Sequence, residues 1–242
     1  MKNYINMNTI IFLFFLLLYY FIYVYFGEHP QMLLTISTFL FAIFTGFFIS
    51  RQGARYSAIR DQINIFDGEM SALYRKFGHL SKEAQKHASI IIKKYYQKIL
   101  KNKAWDYNFI NKSSTLTEMH ALLEKTTKNK MLDSLKTGTT TRILDSLGKM
   151  QVARKKMIAL HNERIPKFQW ILIYSLAAIL LASVSGIPSQ YALFSSILKA
   201  IFSSTIIFVI ILLSEFDRLR FFEGIMGEKS AQDVLDILVN KK

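Results

Sequence analysis

Apolar and small positions recur along residues 35–77 at alternating steps of three and four: Thr35, Thr38, Ala42, Thr45, Ile49, Gln52, Tyr56, Ile59, Ile63, Phe66, Met70, Leu73 and Phe77. A repeat of about 3.5 residues, held for roughly six heptads, is the seam of a supercoiled helix. The chemistry changes along it. Thr35, Thr38, Ala42, Thr45 and Ile49 lie in an apolar run, whereas Tyr56, Ile59, Ile63, Phe66, Met70, Leu73 and Phe77 lie among charges. The pattern predicts one continuous helix that crosses a membrane and continues into water as a bundle helix, ending at Gly78.

Three more apolar stretches accompany it. Residues 9–26 are almost purely apolar, with Tyr19, Tyr20, Tyr23 and Tyr25 gathered at one end. About 18 residues nearly cross a hydrocarbon core, and the aromatic end suits an interface belt. Phe26-Gly27-Glu28-His29-Pro30 contains no small-x-small cleavage site, so the run reads as an uncleaved span. Gly27–Pro30 is a turn into the second span, residues 31–50. Residues 168–187 and 191–213 form a second hairpin, turning at Gly186-Ile187-Pro188. Ser175, Ala178, Ala182 and Ser185 make a small-residue stripe on the third span. Ser196, Ala200, Ser203 and Ser204 make one on the fourth. Such stripes let helices approach closely in lipid.

Between the hairpins, residues 51–167 are polar and read as helical. One helix starts at Ser81 and carries Ala84, Ala88, Ile91, Tyr95 and Ile99 on one stripe. Thr115-Leu116-Thr117-Glu118 fits a capping box for a helix over about 116–135. Thr137-Gly138-Thr139 is expected to break it, and a last helix follows from Thr140 to Arg164 with Ile143, Leu147, Met150 and Met157 inward. In the tail, residues 214–242, Ser230 is expected to cap a short helix holding Val234, Leu235, Leu238 and Val239. The expected fold class is therefore all-α: four transmembrane helices, with a helical cytoplasmic domain inserted between the second and third.

Charge sets the orientation. The net charge of +14 could suggest nucleic acid, but the basic residues lie between and beside the apolar runs, as in a multi-span membrane protein. Arg51, Arg55, Arg60, Arg154, Lys155, Lys156, Arg164 and Lys167 lie near membrane ends, while the opposite turns are short. The insert and both termini are therefore expected in the cytoplasm, with a lipid bilayer and no nucleic acid as partner. With no cysteine, disulfides, thiolate metal sites and thiol catalysis are excluded. The five histidines are scattered without ligand spacing. No nucleophile–His–acid set, glycine-rich phosphate loop or HExxH motif occurs, so no enzyme, cofactor or metal site is expected.

Four groups of residues could carry function. The face Thr35, Thr38, Ala42, Thr45, Ile49 suits either close helix packing or a pore lined by hydroxyls with a hydrophobic neck. Arg51, Arg55, Arg60, Arg154 and Arg164 could form an inner basic ring that meets acidic lipid or draws anions. Lys199 lies eight residues into the fourth apolar run, and suits either the outer membrane edge or an anion-attracting vestibule. Asp67, Glu69, Glu215, Asp217 and Glu223 show no metal spacing and suit ion pairs with the basic ring.

Several of these segments resemble the bestrophin-like family of bacterial membrane proteins. The resemblance rests on Thr45-Gly46-Phe47-Phe48-Ile49-Ser50-Arg51 with Arg55-Tyr56-Ser57-Ala58-Ile59-Arg60. It extends to Asp67-Gly68-Glu69 with Leu73-Tyr74, the aromatic stretch from Tyr95-Tyr96 to Trp105, Ala153-Arg154-Lys155 with Ile165-Pro166, and Asp217-Arg218 with Gly224. More distantly, Arg51 followed by Tyr56 is similar to the end of the second span in bestrophins, which are pentameric anion channels lined by their second helices. The chain departs from bestrophins in lacking the tryptophans after this tyrosine, in having Leu219 where a proline is usual, and in lacking a dense acidic run after the fourth span. The resemblance implies a homo-oligomer, a pentamer by analogy, in the bacterial inner membrane, conducting inorganic anions such as chloride. Its rivals are an energy-transducing subunit of stator type, which shares the two-plus-two layout, and a non-conducting membrane scaffold.

Overall fold

The structure, a computed structural model, describes residues 2–21, 30–111, 113–128, 134–187, 192–219 and 227–239. Among them are nine helices and no strand: α1 (Lys2–Phe21), α2 (Pro30–Leu80), α3 (Lys82–Asn102), α4 (Tyr107–Ile110), α5 (Thr115–Thr127), α6 (Ser134–Asn162), α7 (Lys167–Ser185), α8 (Ala192–Asp217) and α9 (Glu228–Val239). Three of them, α2, α7 and α8, are long and apolar enough to cross a membrane, and Thr9–Phe21 is a shorter apolar helix. The turn expected at Gly27–Pro30, the aromatic positions Tyr23 and Tyr25, most of the Gly186–Tyr191 turn and Glu223 lie outside the described residues or at their edge. The chain divides into two compact units: residues 1–53 with 164–221, and residues 54–163 with 222–242.

The first unit holds the apolar helices. Its core gathers Phe41 and Phe48 of α2, Ile173, Leu176, Ala177 and Leu180 of α7, and Ile206 and Leu213 of α8. On α7 the packed face mixes bulky Ile173, Leu176, Leu180 and Val184 with small Ala177, Ser183 and Ser185. Of the expected small-residue stripe Ser185 is buried and Ala182 half-buried, whereas Ser175 and Ala178 are exposed. On α8 the expectation holds for Ser196, Ala200 and Ser203, all buried, and α1 packs along α8. Tyr19 joins them: its hydroxyl lies 2.7 Å from Ser203 Oγ, and its carbonyl accepts Ser196 Oγ at 3.2 Å. Hydroxyls bonded within the bundle let polar side chains sit among apolar helices without stranded donors.

The second unit is built on the lower part of α2. Tyr56, Ile59, Ile63, Phe66, Met70, Leu73 and Phe77 are all buried, as the seam requires. Against them lie Ala84, Ala88, Ile92, Tyr95, Tyr96 and Ile99 of α3, where Ile92 rather than Ile91 faces inward. Ile143, Leu147, Met150 and Met157 of α6 complete this core.

Three boundaries differ from expectation. Gly78 does not end α2, which runs to Leu80. A Cβ there would lie 2.8 Å from the Gln85 side chain, so glycine at 78 admits Gln85 across the corner. That corner is a single extended residue, Ser81, whose Oγ accepts the Ala84 N–H. Residues 137–139 do not break a helix either, and α6 runs through them. Thr139, Thr140 and Thr141 bond back to the carbonyls of Leu135, Lys136 and Thr137, which accommodates them in helix. The Thr115–Glu118 capping box is absent. Ser114 occupies the cap position without bonding the helix backbone, and its hydroxyl instead bonds the Glu118 carboxylate.

Candidate functional site

The upper part of α2 presents three chemically distinct faces. At about 100° per residue, Ser37, Phe41, Thr45 and Phe48 lie on one side, and all four are buried in the first unit. Ile36, Phe39, Ile43 and Phe47 lie opposite, bulky and exposed, as lipid-facing positions are. Thr35, Thr38, Ala42 and Ile49 fall between these sides: Thr35 and Ala42 are exposed, Thr38 and Ile49 half-buried. The sequence seam thus separates. Thr45 turns into the unit, with Oγ1 bonded to the Phe41 carbonyl at 2.6 Å. The other four flank the buried side and are small or hydroxylic at three positions. Thr35 Oγ1 bonds back to the Gln31 carbonyl at 2.9 Å, leaving its methyl and oxygen lone pairs at the surface.

The expected basic ring is not uniform. Arg51, Arg60 and Arg164 are exposed and Arg154 is half-buried. Arg55 is buried and belongs to the end of α6. Its Nε donates to the Leu160 carbonyl at 2.6 Å and its Nη2 to the His161 carbonyl at 2.8 Å. The last carbonyls of a helix have no partner within it, and a cation there also meets the negative end of the helix dipole. Arg55 therefore closes α6. His161 is held in turn by Asp106, with Nε2 3.3 Å from Oδ2.

Lys199 has a similar task. Its Nζ donates to the Ile187 carbonyl at 2.6 Å and to the Ser185 carbonyl at 3.4 Å, at the end of α7. It also borders an open, mostly apolar recess of about 290 Å³ lined by Leu34, Val184, Leu198 and Phe202.

The acidic residues separate by role. Glu69 accepts Ser146 Oγ at 2.5 Å and stands 3.8 Å from both Lys76 and Lys149, so its partners are lysines rather than the expected arginines. Lys149 also pairs with Asp145 at 2.8 Å, a hydrogen bond that pushes its ammonium above the usual lysine range. Asp217, buried at the end of α8, accepts the Ile165 N–H at 2.8 Å, just before α7 begins. It anchors chain entry to α7.

Asp67 differs from all of these. It is buried on α2, and its two oxygens each accept a hydroxyl: Tyr96 Oη at 2.5 Å on Oδ1 and Ser230 Oγ at 2.5 Å on Oδ2. Loss of water raises its pKa to about 6, although both hydrogen bonds pull the other way. The same burial raises the hydroxyls of Tyr95 and Tyr96, with the Asp67 charge adding to it. A cavity of about 10 Å³ adjoins the carboxyl, walled by Phe66, Tyr95, Trp105, Phe109, Met157 and Gly227, roughly room for one water. Asp67 and Tyr96 both lie in segments singled out above. Ser230, expected to cap a helix, lies inside α9, which begins at Glu228, and its hydroxyl bonds Asp67 instead.

Three helices long and apolar enough to cross a membrane, with no strand among the described residues, mark a helical membrane protein. The family model of the bestrophin-like domain matches residues 26–226, and the chain belongs to that family. No curated protein and no solved structure is significantly similar to it.

Proposed function

We propose that the chain is a subunit of an oligomeric, anion-preferring channel of the bacterial inner membrane, pentameric by resemblance, with α2 lining the conducting path. The observation that carries this reading is the three-sided chemistry of α2. One side is consumed by the subunit's own core and one is bulky and suited to lipid. The third, Thr35, Thr38, Ala42 and Ile49, is small or hydroxylic at three of its four positions and is only partly covered by the subunit, with Thr35 and Ala42 exposed and Thr38 and Ile49 half-buried. Hydroxyls can replace part of an ion's hydration shell, and Ile49 can form a narrow apolar neck below them. Exposed Arg51, Arg60 and Arg164 would surround its inner end with positive charge, which favours anions. Thr45, Arg55 and Lys199 stand outside this path, because each is committed to backbone carbonyls.

The same reading takes the apolar run of residues 9–26, read from the sequence, as a fourth span. It places both termini and the basic second unit in the cytoplasm, following the arginines and lysines at the membrane ends. It assigns no catalytic step, cofactor or nucleic-acid partner. Purified protein in liposomes is expected to pass chloride, and Thr38→Trp to stop it while the protein still assembles. Wild-type flux equal to that of empty vesicles would overturn the proposal, as would a monomer as the sole species in mild detergent.

A further inference from the structure

Asp67, Tyr96 and Ser230 come from three elements widely separated in the chain, α2, α3 and α9. They meet at one buried carboxyl. The contact through Ser230 ties the C-terminal helix to the core of the second unit. The rest of α9's attachment is modest: Ala231, Val234 and Leu238 are its buried residues, and it packs on α3. Its entry is sterically tight. Gly227 has φ +84°, and a Cβ there would sit 3.0 Å from Trp105 Cβ, so the chain passes close over the aromatic wall beside Asp67.

The groups around Asp67 are unusual for a buried carboxylate. Tyr96 and Tyr95 face it from α3 and Ser230 from α9; the Arg154 charge of α6 reaches the Tyr95 hydroxyl. Its hydrogen-bond donors are neutral hydroxyls rather than a cation. Two hydroxyls replace only part of the hydration an ionised carboxylate has in water. Proton uptake removes that cost, and a carboxylic acid can still bond both neighbours by accepting one hydroxyl and donating to the other oxygen. Lifting α9 away would remove the Ser230 bond and the Gly227 backbone that lines the cavity beside the carboxyl, letting water reach it.

We propose that α9 is a detachable strap clipped to the second unit through Asp67, and that proton binding at Asp67 tightens the clip. The device concerns the tail helix and does not depend on whether the protein conducts. Acid favours the closed strap, and rising pH favours release. With a closed-state pKa of about 6 against 3.8 for an exposed aspartate, closure should strengthen about fourfold between pH 7.5 and pH 5.5.

Hydrogen–deuterium exchange of the full-length protein in detergent tests this, with amides of residues 227–239 compared at the two pH values after correction for intrinsic exchange. Wild-type α9 is expected to show about fourfold greater protection at pH 5.5, with the core of α3 unchanged. Asp67→Asn should abolish the difference. Ser230→Ala keeps the carboxyl but removes the strap's hydroxyl, and should lose more protection at pH 7.5 than at pH 5.5. Equal wild-type protection at the two pH values would overturn the proposal. So would a pH dependence that survives in Asp67→Asn, one shared equally by α3, or an equal loss at both pH values in Ser230→Ala.

Discussion

Arg55 and Leu160 are joined by a 2.6 Å hydrogen bond from the guanidinium Nε to the backbone carbonyl, across more than a hundred residues. With the second bond to His161, one planar group satisfies two terminal carbonyls of α6 at once. A lysine offers a point charge in place of this fork. Arg55→Lys is therefore expected to be destabilising, by about 1.5–3 kcal/mol as for hydrogen bonds involving a charged group. Chemical denaturation of the two proteins measures this. A midpoint unchanged in Arg55→Lys would show that the fork is not needed.

Asp67 predicts how stability varies with pH. Its folded pKa, about 6, lies above the exposed value of 3.8, so the folded chain holds this proton more tightly than the unfolded chain. The stabilising contribution is fully present below about pH 4 and is lost as pH rises through about 6. The difference between these two values corresponds to roughly 3 kcal/mol at most. Thermal midpoints of wild type and Asp67→Asn, measured from pH 7.5 down to pH 5, isolate the contribution of this one group. Wild type should gain stability relative to the variant as the pH falls. Parallel curves would exclude the assignment.

These two residues also mark how much the sequence discloses. The buried run from Tyr56 to Phe77 follows from spacing, because a seam held at steps of three and four has one geometric solution as a helix face. The partners of Arg55 and Asp67 do not follow from spacing. Arg55 reads as one more cation at a membrane end, and nothing local says that it reaches the carbonyls of residues 160 and 161. Ser230 is 163 positions from Asp67, and its place near a helix start suggests capping just as well. Residues 137–139 mislead in the opposite direction. Threonine and glycine are weak helix formers, yet back-bonding and the long apolar face of α6 carry the helix through them. The upper α2 face was half legible: its small residues stand out, but only the packing of Phe41 and Phe48 reveals that Thr45 turns inward.

Tyr19 supplies a test of how α1 is held. Its hydroxyl meets Ser203 Oγ at 2.7 Å on the side of α8 that carries Ser196 and Ala200. Interhelical hydrogen bonds of this kind in membranes average about 0.6 kcal/mol, so Tyr19→Phe and Ser203→Ala should each have a small effect. Their double-mutant cycle, read from unfolding in mixed micelles, should return a coupling near that value. Strict additivity would mean that this hydroxyl pair does not help to seat α1.

Phe41 and Ala42 are neighbours in sequence whose side chains leave α2 about 100° apart. Phe41 is buried against the α7–α8 core, and Ala42 is exposed. Removing the ring in Phe41→Ala leaves a cavity and should cost about 3–5 kcal/mol, read as a lower unfolding midpoint. Adding bulk in Ala42→Trp should leave that midpoint nearly unchanged, because no atom of the subunit's own core is displaced. Its effect should appear in the assembly: a smaller oligomer by native mass if the face packs closely, or blocked chloride flux with normal mass if the face is wet. Both outcomes require the face to be occupied or used by something outside the subunit. An Ala42→Trp protein with wild-type mass and wild-type flux would show that this side of α2 faces lipid.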